Sequence, residues 1–225
     1  MIGQVYIVLF TLTIVTLLIP LTFFYLNFHR QSSELRWLTM LLSFSVLCDL
    51  TGIVLTITHS NPNFAGFTYW LVSTGVLSVF FSRIIGFKSN RVVVLANIVY
   101  VLFAIANFLW IQGANALNTY TGIFQSIVIL ALSISYYYKL LRELPTQQLH
   151  RLPFFWIVSG FFFTYAGKLV VYTVTHYLTH FAADDLIIIW SFHNFLTIIA
   201  NLLIGYGAWL NHKQLKSTSL SLSRS

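Results

Sequence analysis

Charge is what this sequence has least of. Only 8% of its 225 residues are Asp, Glu, Lys or Arg, while 58% are hydrophobic. A soluble domain carries about 25% charged residues, so a water-facing surface cannot be built from this composition. Acids are the scarcest: Glu34, Asp49, Glu143, Asp184 and Asp185. Cysteine occurs once, as Cys48 inside an apolar run. No disulfide can close within the chain, and Cys48 reads as a small buried hydrophobe. Neither a Walker loop nor a dinucleotide-binding glycine pattern occurs, and there is no H-E-x-x-H metalloprotease motif. The opening Met1-Ile2-Gly3-Gln4 lacks the basic start of a signal peptide. The apolar run behind it, about 25 residues, exceeds a signal peptide's apolar core, so it is expected to remain as a membrane span.

What the chain has instead is long apolar runs. A helix needs about 20 apolar residues to cross the hydrocarbon core. Seven runs reach that length, at about 4–27, 37–58, 67–87, 92–112, 119–141, 153–177 and 186–210. The expected fold is therefore all-α, a seven-helix transmembrane bundle over residues 1–213. The Ser-rich, basic residues 214–225 are expected to be a short disordered tail.

The charges that exist are sorted by side. Arg30 and Arg36 lie between spans 1 and 2, and Arg83, Lys88 and Arg91 around the 3–4 connection. Lys139, Arg142 and Arg151 flank the 5–6 connection; Lys213, Lys216 and Arg224 follow span 7. The other connections hold no Lys or Arg. Eleven of the 12 basic residues fall on one side, at span ends or in connections, and the twelfth, Lys168, lies deep within a span. The positive-inside rule then places the N-terminus outside and the C-terminus in the cytoplasm. The formal net charge of +7 thus reflects membrane orientation, and no nucleic-acid partner is expected. A multi-pass protein of the cell membrane, in a bacterium the inner membrane, is the expected setting. Trp37, Trp70, Trp110 and Trp209 near span ends fit interfacial positions.

Ionisable groups inside spans are costly and point to function. Asp49 lies about 12 residues into span 2, roughly 18 Å at ~1.5 Å per residue; Lys168 lies about 15 residues into span 6, roughly 22 Å. The matched depths predict a buried Asp49–Lys168 ion pair or a shared water-filled cavity; the plainer reading is that each bonds to a neighbouring helix. His193, Thr197 and Asn201 form a stripe at spacing four in span 7. Gly160, Thr164, Lys168, Tyr172, His176 and His180 form another in span 6. Such stripes lie on one helix face and must meet protein or water, either as packing contacts or as a site. Asn107 and Gln125 share their depth. The expected ligand-binding set is Asp49, Lys168, His193, Gln125 and Tyr172, around a cavity opening away from the basic side. His176 and His180 have the i, i+4 spacing that can chelate zinc, and with His193 they are the weak metal candidates; the plainer reading is two interfacial histidines.

Pro153-Phe-Phe-Trp156-Ile-Val-Ser-Gly160, Tyr165-Ala-Gly167, Ile189-Trp190-Ser191-Phe-His193-Asn194 and Gly205-Tyr-Gly-Ala-Trp209 resemble a family of small seven-helix bacterial membrane proteins, mainly in Bacteroidota. The resemblance implies an architecture and no activity. It departs where the family often has acids in spans 3 and 5: here span 3 has none and span 5 has Gln125. Two better-known seven-helix classes compare poorly. Microbial rhodopsins carry a retinal-linking lysine in the last helix, and span 7 has none. The hydrolases related to alkaline ceramidases use Ser, Asp and three His around zinc. Ser45, Asp49, His176, His180 and His193 imitate that inventory in a different arrangement. The leading expectation is a receptor-like or sensory protein, without a resident cofactor, that binds a small molecule or lipid and signals through a separate cytoplasmic partner. A zinc-dependent lipid hydrolase and a small transporter or channel are the alternatives.

Overall fold

The computed structural model describes residues 2–87, 90–143, 148–178 and 183–222, with backbone alone for 2, 90, 176–178, 183–186 and 218–222. Among the described residues seven α-helices follow one another: α1 (Ile2–Leu26), α2 (Ser33–Ile57), α3 (Asn63–Ile85), α4 (Asn90–Ala106), α5 (Thr119–Glu143), α6 (Pro153–Leu178) and α7 (Ala183–Leu222). No strand occurs among the described residues. All seven contain a stretch long and apolar enough to cross a membrane, so by length and composition the chain is a multi-pass membrane protein.

Local chemistry sets the helix ends. Gly86, at φ 78°, ends α3: its N–H donates to the carbonyls of Ser82 and Arg83, and the Phe87 N–H to Ser82. Glycine takes this left-handed conformation without steric cost. Pro153 opens α6, where its missing N–H leaves no bond unmade. Pro20 falls inside α1, which continues through it to Leu26. α4 passes into a π-helical turn, Asn107–Ile111. α7 overruns its expected end at 210. It continues as helix to Leu222; residues 223–225 lie outside the described ones. No Gly or Pro interrupts 210–222, and the extension is tied down. Asn27 Nδ2 lies 2.6 Å from His212 Nδ1, and Gln214 Nε2 donates to the Arg151 carbonyl at 3.0 Å.

The two ends of the bundle differ in kind. The end carrying Ser32, Arg83, Lys139 and Arg151, here the basic end, sits above one apolar core. Leu17, Leu21 and Phe24 of α1 meet Leu35, Leu38, Leu41 and Leu42 of α2, Phe80 and Phe81 of α3, Ile129 of α5, Ile157 and Phe161 of α6 and Ile204 of α7. Lipid is as apolar as these side chains, so van der Waals fit rather than water exclusion holds them. That fit is tight between α6 and α7. A Cβ added to Gly160 would lie 2.5 Å from Ile204 Cγ1 and 2.8 Å from the Ala200 carbonyl oxygen. Away from the basic end, no α1 residue from 3 to 16 and no α2 residue from 43 to 57 is fully buried. There neither helix is fully covered by its neighbours.

Candidate functional site

Asp49, Lys168 and His193 come from α2, α6 and α7, and all three line one partly enclosed cavity of about 260 Å³. Its floor is the top of the apolar core: Leu17, Leu42, Phe161 and Ile204 line it as well. The cavity therefore occupies the half of the bundle away from the basic end. Tyr6, Phe10 and Thr13 of α1 and Tyr69 of α3 complete the wall.

The expected Asp49–Lys168 ion pair is not made. No nitrogen–oxygen approach of 4.0 Å or less joins them. Lys168 is 8% exposed, and its ammonium is held by aromatic faces, 4.9 Å from the Tyr165 ring centroid and 5.3 Å from that of Tyr69. A cation within about 6 Å of a ring centroid is attracted by the ring quadrupole, which steadies the charge and leaves its N–H donors free. Tyr165 precedes Lys168 by three residues, so both share a helix face. That spacing was readable in the sequence; the Tyr69 contact, from another helix, was not. Asp49 accepts no hydrogen bond among the described residues, and it is exposed to the space inside and beside the bundle.

His193 lines the same cavity with its Nδ1 buried and unpartnered among the described residues, and so is the Nδ2 of the adjacent Asn194. The Trp190 ring stands edge-on to His193, with centroids 5.5 Å apart. The threonine hydroxyls of the two polar stripes are satisfied within their own helices. Thr164 Oγ1 donates to the Gly160 carbonyl and Thr197 Oγ1 to that of His193, both at 2.9 Å. Asn201 spends its amide on α1, reaching the Thr13 carbonyl at 3.1 Å and Thr16 Oγ1 at 3.2 Å. What remains facing the cavity is one carboxylate, one ammonium and one imidazole, none of them hydrogen-bonded or ion-paired among the described residues.

Two members of the expected set lie elsewhere. Gln125 is fully buried between α5 and α3, donating to Ser73 Oγ at 2.7 Å. Tyr172 is packed behind the cavity wall, edge-on to Trp70 and Trp190 with centroids 5.7 and 6.3 Å apart. Neither lines the cavity. Asn107 is also drawn off. Its Nδ2 lies within 3.2 Å of Gln112 Oε1, Asn118 Oδ1 and Thr121 Oγ1, fastening the π-helical turn to the start of α5. Equal depth did not mean convergence, because these three side chains face other helices.

His180 lies outside the described residues, and of His176 only the backbone is described. Among the described residues no group of three or more His, Cys, Asp or Glu could hold a metal. A second cavity, about 370 Å³, opens at the basic end among Glu34, Arg83, Lys139 and Glu143. Its charges are already engaged. Arg83 lies 3.9 Å from Glu34 and donates to Ser33 Oγ, and Lys139 lies 3.9 Å from Glu143 and donates to the Ile84 carbonyl. Comparison with protein-family models, characterised proteins and solved structures gives no match for the chain.

Proposed function

We propose that this is a receptor-like membrane protein that binds a small amphipathic or zwitterionic molecule in the cavity between α1, α2, α3, α6 and α7. The supporting observation is the set of unspent charges. Intramembrane charge is expensive unless paired, yet Asp49 and Lys168 line one cavity without touching. A ligand carrying both signs supplies the partner that each lacks. Aromatic walls from Tyr69, Tyr165 and Trp190 suit an apolar portion of the same molecule.

In this reading the basic end is cytoplasmic and the cavity half faces the outer leaflet, as the sorting of Lys and Arg requires. The mixed-charge cavity at the basic end is the surface offered to a cytoplasmic signalling partner. Reporters at Asn61, in the α2–α3 connection, and after Arg224 test the orientation. The first should report from outside and the second from the cytoplasm; the reverse pattern rejects it.

The binding claim is tested by native mass spectrometry of protein extracted with its surrounding lipid. Wild-type protein should retain a defined small adduct, and Lys168→Met should lose it. No adduct in either protein contradicts the reading. Near-stoichiometric zinc in place of an organic adduct would favour hydrolase chemistry.

A further inference from the structure

The cavity is not closed on the side of α1 and α2. A second space, about 420 Å³, lies among α1, α2 and α3, and it shares four wall residues with the first: Tyr6, Phe10, Asp49 and Tyr69. Beyond those the walls are apolar or small, including Gly52, Ile53 and Ile57 of α2 and Gly66 of α3. This second space is a gap between the outer parts of α1 and α2. The flanking residues Val8, Leu12, Leu47, Leu50 and Val54 are exposed, and they belong to membrane spans. The helix faces beside the gap are thus of the kind that hydrocarbon covers.

The charges along this path have an order. Asp49 borders both spaces, whereas Lys168 borders only the inner one. A molecule reaching inward from the bilayer meets apolar wall first, then the carboxylate, then the ammonium. We infer that the site takes an amphiphile from the bilayer through the α1–α2 gap, with its alkyl chain in the outer space. Its own ammonium lies beside Asp49 and its terminal anionic group beside Lys168. The ligand class is a zwitterionic amphiphile whose cation lies between chain and anion, as in an alkyl betaine. The reverse order, found in an alkylphosphocholine, would set phosphate against Asp49 and ammonium against Lys168, and like charges facing each other are disfavoured. This inference rests on the ligand-binding reading above and adds the route and the order of charges.

Two glycines in its wall provide the test. A Cβ added to Gly52 or to Gly66 meets nothing within 4 Å, so the side chains of Gly52→Phe and Gly66→Phe start in open space and are placed to fill the gap. The probe is an alkyl betaine bearing a diazirine in its chain, used on protein in lipid nanodiscs, with cross-linked residues mapped by peptide mass spectrometry. Labelling is expected at residues 48–57 of α2 and 6–10 of α1, above the level on the lipid-facing side of α4. It should fall about tenfold, the equivalent of one strong contact, in either glycine variant, with α4 labelling unchanged. Unlabelled alkyl betaine should compete better than an alkylphosphocholine of equal chain length by a similar factor. Equal competition by the two detergents overturns the charge order. Labelling unchanged in both glycine variants overturns the route. If soluble glycine betaine binds wild type and both variants alike while chain labelling is scattered, the inference fails and the cavity reading survives. If neither soluble nor alkyl betaine binds, both fail.

Discussion

The halves of this bundle use the same helices for opposite purposes. Toward the basic end, Leu38, Phe80, Phe81 and Ile157 are almost completely buried in one apolar core. Toward the other end, α1 and α2 border the open space around Asp49, Lys168 and His193. Packing is the chief adhesive between helices in a membrane, so the first half supplies the cohesion and the second is left free to hold unpartnered polar groups. Within the second half a further contrast holds. The Asn107, Gln112, Asn118 and Thr121 side chains bond to one another and fix a turn. The cavity groups do not bond, and remain available.

Substitutions should separate these roles. The largest loss of stability is expected at Gly160→Leu, because the Ala200 carbonyl beside it is backbone and cannot swing aside. Overpacking of this kind costs about 3 kcal/mol or more, read as a lowered unfolding midpoint in a mild detergent. Phe80→Ala follows, at about 3 kcal/mol, since its ring meets those of Phe81, Phe154 and Phe161. Asn107→Ala should cost about 1–3 kcal/mol by orphaning groups in the α4–α5 turn, without altering ligand binding. Lys168→Met should change stability least, because the ammonium has no ion pair to lose, while weakening ligand binding by about tenfold or more. If Lys168→Met proved as destabilising as Phe80→Ala, the two halves would not be distinct in the way described.

Much of the fold was legible in the sequence. The starts of α5 and α6 coincide with the expected 119 and 153, and the other helix ends fall within about four residues, α7 excepted, when the π-helical turn that carries α4 on to Ile111 is counted. Apolar length and loop chemistry are local properties, so local reading recovers them. The extension of α7 was not legible, because the bonds that hold it, from Asn27 and to Arg151, join residues far apart in sequence. The cavity was legible in part. Depth along a helix follows from counting, and it brought Asp49, Lys168 and His193 together. Rotation about the bundle axis does not follow from counting, and Gln125, Tyr172 and Asn107 turned to other partners. The tyrosine cradle of Lys168 was half visible, through Tyr165 and not Tyr69.

The division into a packed half and an open half is tested most directly by cysteine accessibility in a Cys48→Ala background. Ser45→Cys and Thr164→Cys place a thiol in the cavity wall; Ser133→Cys and Ser78→Cys place one in buried positions on α5 and α3. A water-soluble thiosulfonate reacts with thiolate, which needs water around it. Modification is expected at 45 and 164, slowed by added alkyl betaine, and none at 78 or 133. No reaction at any of the four would show a dry bundle whose polar groups serve only packing, and would contradict the account.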